Sequence, residues 1–103
     1  MQYDREDILN AAIERYGESS QVDIAIEEMA ELTKALLKYR RYGHLEIHHD
    51  ILVNEIREEV ADVQVTLDQM RILFGATDYI EADKLRRLSA WLEMGVGNID
   101  EPV

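Results

Sequence analysis

The only proline in this chain is Pro102, next to the C-terminus, and the preceding hundred residues are divided by glycines at positions 17, 43 and 75. Helix-compatible residues separated by glycine stop signals constrain the fold more than any other feature, because nothing between the stops breaks a helix. Asp4 is a cap for a first helix with apolar positions Ile8, Leu9, Ala12, Ile13 and Tyr16, ending at Gly17. Ser19 or Ser20 is expected to cap a second helix running to about Tyr42. Gly43 to His49 reads as a connection, and a third helix is expected from about Asp50 to Phe74. Thr77 is expected to cap a fourth that reaches about Met94. No strand-like alternation or internal repeat is present. Four helices with short links predict an all-α, four-helix bundle-like protomer over residues 1–94, followed by a flexible tail over 95–103.

A domain of 103 residues, 47% hydrophobic, buries a modest core, so assembly into a homodimer or homotetramer is expected to assist it. With no cysteine there is no disulfide and no thiolate metal site. The polar N-terminus and the lack of a long apolar run argue against export and membrane insertion, and the chain reads as cytoplasmic. A formal net charge of -11 disfavours nucleic acid. The same charge repels a free nucleotide, which would need metal ions or a local Lys/Arg cluster to be held.

Helical geometry separates three stripes on the second helix. Ile26, Met29, Ala30, Thr33, Leu36 and Leu37 form a broad, mostly apolar stripe expected to face the core, while Glu27, Lys34, Lys38 and Arg41 read as solvated. The third stripe, Ile24, Glu28, Glu31, Ala35 and Tyr39, places two acids in an otherwise apolar row, where an unpaired charge is costly. The third helix carries a core stripe of Leu52, Ile56, Val60, Val63, Leu67, Met70 and Phe74, bordered by Glu55, Glu59, Asp62 and Thr66. Ala61, Val65 and Ile72 make a further apolar row that reads as a subunit interface.

Residues three apart share a helix face, so Glu28 with Glu31 and Glu59 with Asp62 each form a two-pronged oxygen clamp. Counting back from Tyr42 and forward from Asp50, the two clamps fall within about 3 Å of the same height. They would sit on antiparallel helices roughly 8–10 Å apart. Four carboxylates at that separation repel unless a cation lies between them. Oxygen-only ligation suits a hard divalent ion, Mg²⁺ above all, with Mn²⁺ as the alternative.

The run Glu27, Glu28, Glu31 followed by Glu59 and Asp62 resembles the all-α nucleoside triphosphate pyrophosphatase superfamily, the MazG-like and dimeric dUTPase-like enzymes. The resemblance covers helices two and three, and helix four more loosely. It implies that Glu28, Glu31, Glu59 and Asp62 ligate magnesium. It further implies hydrolysis of a nucleoside triphosphate between its α and β phosphates, giving a monophosphate and pyrophosphate. The basic stretch from Lys84 to Leu88 resembles the segment that contacts phosphates in several members.

Glu27 or Glu55 could orient water or hold a second ion. Lys34 and Lys38 are open to two readings, surface pairing with nearby acids or contact with phosphates. Lys84, Arg87 and Trp91 share a face of the fourth helix, either as a phosphate and base pocket or, for Trp91, as core. His44, His48 and His49 fall in the connection, not in a Glu-x-x-His pattern on the bundle helices, which argues against a di-iron centre. The reading is a Mg²⁺-dependent nucleotide pyrophosphohydrolase. The competing readings are a non-catalytic helical interaction module and a related enzyme acting on phosphoribosyl-ATP.

Overall fold

The computed structural model describes residues 4–95. Four helices follow one another: α1 Arg5–Tyr16, α2 Glu18–Tyr42, α3 Glu46–Phe74 and α4 Asp78–Glu93. The described residues contain no strand. No described helix is long and apolar enough to cross a membrane. The expected tail, from residue 96 onward, lies outside the described residues.

Asp4 caps α1 as expected, its carboxylate accepting the Asp7 backbone N–H at 2.8 Å. The α1–α2 joint is shorter than expected. Gly17, at φ 87°, ends α1 and starts α2 in one residue, and the Gln21 N–H already donates to its carbonyl at 3.1 Å. Ser19 and Ser20 therefore lie inside the helix instead of capping it. Glycine alone adopts that φ without strain, and so a single residue can make the corner.

The α2–α3 link is also tighter, Gly43–Leu45 in place of Gly43–His49, because α3 begins at Glu46. The N–H groups of His48 and His49 donate to the Leu45 carbonyl. The His49 ring returns across the turn, its Nδ1 donating to the Gly43 carbonyl at 2.9 Å while the ring lies against Tyr39. Gly43 is required by this close approach, since a Cβ there would come within 2.9 Å of the Tyr39 ring.

Helices α2 and α3 form a long antiparallel hairpin, with α1 laid against its open end. Arg5 of α1 reaches Asp68 of α3 at 2.7 Å, and Arg71 holds the other oxygen of that carboxylate at 2.9 Å. Hydrogen bonding from Arg5, aided by Gln64 and by the charges of both arginines, outweighs burial and holds the Asp68 carboxyl below its ordinary range.

The buried apolar residues among those described are Leu9, Ala25, Ala35, Leu52 and Val63. The broad stripe of α2 does not face the core: Ile26 is 57% and Leu37 52% exposed, and Met29, Ala30, Thr33 and Leu36 are exposed with them. The seam instead runs through Gln21, Ala25, Glu28, Leu32 and Ala35, the side that carries the acids. Two helices approach most closely over small side chains, and Ala25 and Ala35 supply them. On α3 the expected stripe holds for Leu52, Ile56, Val63, Leu67 and Met70, whereas Val60 and Phe74 are exposed. Ala61, Val65 and Ile72 are exposed, Val65 and Ile72 along the side of α3 that borders α1.

The fourth helix stands apart. No described residue of α4 is buried, and its backbone makes no close approach to α1, α2 or α3. It is tied to the end of α3 by a small polar knot. Arg71 Nε donates to Thr77 Oγ1 at 2.8 Å, Thr77 Oγ1 donates to Glu81, and the Arg71 guanidinium lies 3.7 Å from the same Glu81 carboxylate. Thr77 occupies the N-cap position as expected, but its hydroxyl serves this knot and makes no capping bond.

Candidate metal centre

The hairpin register brings the acid couplets together. One carboxylate oxygen each from Glu28, Glu59 and Asp62 lies within 4.8 Å of the other two. Glu28 comes from the seam side of α2; Glu59 and Asp62, one turn apart, come from the facing side of α3. Glu31 is exposed and outside this trio, but it lines a cleft with Glu59 and its charge acts on both Glu28 and Glu59.

Mutual repulsion and partial burial leave their mark on protonation. Burial pushes the Glu28 carboxyl above its ordinary value, helped by the charges of Asp62 and Glu59, hydrogen bonding toward Asp62, and the charge of Glu31. Burial likewise raises Glu59, followed by the charges of Asp62, Glu31, Glu58 and Glu55. Glu59 as a residue is half-buried, yet its Oε2 is shielded from solvent and has no hydrogen-bond partner. An acceptor oxygen withdrawn from water and left without a donor needs a proton or a cation.

The donor set fits a hard divalent ion. Closing the trio on such an ion would require the carboxylate oxygens, which lie within 4.8 Å of one another, to draw closer together. That lies within the reach of glutamate rotamers on a half-buried seam.

Two clefts flank the acids. The first, about 180 Å³, is lined by Glu31, Lys34, Lys38, Glu55, Glu58 and Glu59. Lys34 is thus beside the acids, a position compatible with both of its readings. Lys38 sits 3.5 Å from Glu55, the surface pairing that was its other reading. The second cleft, about 300 Å³, is shared by α1, α2 and α3; Glu28 and Asp62 form part of its wall. Gln21 and Gln69 lie there, joined by a buried hydrogen bond of 2.6 Å.

Not every expected residue arrives. Glu27 is exposed and lines neither cleft. Lys84, Arg87 and Trp91 ride on α4 and also line neither, and Arg87 lies 3.4 Å from Asp83 on its own helix. His48 and His49 belong to the first turns of α3, where His49 is engaged by the Gly43 carbonyl. The glutamine pair was not anticipated from the sequence. The available signal was its spacing, since Gln21 lies two helical turns before Glu28 and Gln69 two turns after Asp62 on the same faces.

Comparison of the chain with family models, with curated proteins and with solved structures returned no match. The functional reading rests on the residues themselves.

Proposed function

We propose that the chain is a Mg²⁺-dependent nucleotide pyrophosphohydrolase that cleaves an NTP or dNTP between its α and β phosphates. The observation that carries this reading is the convergence of Glu28, Glu59 and Asp62, with a shielded Glu59 oxygen that no donor satisfies. Those three residues would hold the ion, and Glu31 is placed to complete the set from the cleft edge. A bound Mg²⁺ supplies charge neutralisation at phosphate oxygens and a more acidic water.

The remaining roles fall to groups of the first cleft. The Lys34 ammonium offers a positive charge on the side of Glu31 and Glu59, where phosphate oxygens would otherwise meet only carboxylates. Glu55, held by Lys38, is the candidate for orienting the attacking water. Lys84, Arg87 and Trp91 can join the site only through another subunit or a movement of α4, since one chain does not bring them to either cleft.

Assembly belongs to the same reading. The outer stripe of α2, the row with Val65 and Ile72, and α4 are apolar surfaces that one chain leaves uncovered. A homodimer or homotetramer would bury them. The same surfaces also favour the second reading, a non-catalytic interaction module.

A panel of NTPs and dNTPs incubated with the protein, with Mg²⁺ and with chelator, separates the two. The enzyme reading expects metal-dependent release of pyrophosphate from at least one nucleotide. Failure with every nucleotide would favour the interaction module, or the related enzyme acting on phosphoribosyl-ATP.

A further inference from the structure

The second cleft differs from the first in kind. Tyr16 from the end of α1, Ile24 from α2 and Val65 from α3 give it apolar walls, and Gln21 and Gln69 lie among them. Its volume, about 300 Å³, is at the lower end of the range typical of small-molecule pockets. The two glutamines are 3% and 5% exposed.

Their mutual hydrogen bond uses one acceptor of Gln21 and one donor of Gln69. Each carboxamide has more capacity than that. Whichever way the two amides are turned, one bond between them leaves an N–H₂ on one and a carbonyl on the other. As a packing device the pair has little to recommend it, because two apolar side chains of similar shape would serve a seam at least as well. As a recognition device it offers a donor beside an acceptor in an apolar, open-sided slot. The heteroatom edge of a nucleobase presents that same combination.

The acids are divided between the clefts in a way that gives the site a direction. Glu28 and Asp62 border the glutamine cleft, while Glu31 and Glu59 border the lysine cleft. A group held at the junction of the four acids therefore has an apolar, amide-bearing slot on one side and an ammonium-bearing slot on the other. A nucleoside 5′-phosphate chain has that polarity.

We propose that the cleft of Tyr16, Ile24, Gln21, Val65 and Gln69 is a nucleobase subsite, in which Tyr16 supplies a stacking face and the glutamine pair reads the base edge. The proposal rests on the nucleotide reading of the acid cluster. It adds that the enzyme discriminates among bases, and that the polyphosphate runs from this cleft toward Lys34.

The test uses the full-length protein and the double variant Gln21→Leu/Gln69→Leu, assayed for Mg²⁺-dependent pyrophosphate release from the four common dNTPs and four NTPs. The wild type is expected to prefer some bases over others. The double variant is expected to raise KM for the preferred nucleotide by about tenfold, to flatten the base ranking and to leave kcat nearly unchanged. A base ranking and KM that survive the double substitution overturn the proposal, as does a wild type that treats all bases alike. A second measurement needs neither turnover nor a folded variant. In wild-type protein without metal, titration with uncharged nucleosides should shift the side-chain amide NMR signals of Gln21 and Gln69. Inactivity on every nucleotide combined with shifted amides would remove the hydrolase reading and keep the base pocket. Unshifted amides remove the pocket, whatever the activity.

Discussion

The α2–α3 seam and α4 invert the usual distribution of residues. At the seam, where apolar packing is normal, the chain places Gln21, Glu28, Glu59, Thr66 and Gln69. Along α4, where no described residue is buried, it places Ile80, Leu85 and Leu92, all exposed. A seam lined by polar side chains contributes less hydrophobic stabilisation, and a helix with uncovered apolar residues has such stabilisation still to gain. The contrast teaches that this chain keeps polar side chains at its closest helix contact and leaves apolar ones exposed on the helix that packs least.

The sharpest way to break that contrast is to neutralise the seam. Glu59→Gln keeps the side-chain shape and should lower pyrophosphate release by at least about 100-fold, with the helical circular dichroism signal unchanged. Parallel loss of helicity would mean that Glu59 serves the fold instead.

The next largest effect concerns cohesion. Val65→Asp puts a charge into the exposed apolar row of α3 and should reduce the mass measured by light scattering to that of a smaller assembly. An unchanged mass would count against that row as an interface.

Protonation sharpens the comparison further. Glu28 and Glu59 have native pKa values above the ordinary 4.5, so the native state binds more protons than the unfolded state just above that pH. Stability from these groups is therefore present at low pH and falls as pH rises through their raised values. Without divalent ions, the melting temperature should be higher near about pH 5 than near about pH 7.5. Mg²⁺ should restore stability at the higher pH, and Glu59→Gln should weaken both responses. Asp68 works in the opposite sense: its lowered pKa gives stability above the ordinary carboxylate range of about 3.9, lost as pH falls below it. A metal-free melting temperature that rises steadily from pH 5 upward would contradict this account of the acid cluster.

The smallest effect is expected at the α3–α4 knot. Arg71→Ala removes partly exposed ion pairs with Asp68 and Glu81 and should cost no more than about 1 kcal/mol in urea titration. A much larger loss would show α4 to be more firmly joined to the hairpin than its open faces suggest.

The acids were legible in the sequence because i, i+3 spacing fixes a face and two glycine-bounded helices fix a height. Their level survived a misplaced start of α3, since counting forward from Glu46 instead of Asp50 leaves the two couplets as nearly level. The side of α2 that packs was not legible. Apolar patterning favoured the row with Ile26, Met29 and Leu37, but the closest approach of two helices is decided by small residues, here Ala25 and Ala35. The caps of α2 and α3 were misjudged for a similar reason. Serines near Gly17 resemble a start signal, and histidines after Gly43 resemble a loop, until the one-residue corner and the His49 bond to Gly43 are seen.

The clasp between His49 and the Gly43 carbonyl has a mechanical consequence. It pins the closed tip of the hairpin, while the Gln21–Gln69 bond bridges its open end, and the carboxylates sit on the span between these two supports. A beam held at both ends resists splaying at its middle. Adjustment to the proposed ion would therefore fall to the carboxylate arms, with the rods that bear them keeping their separation.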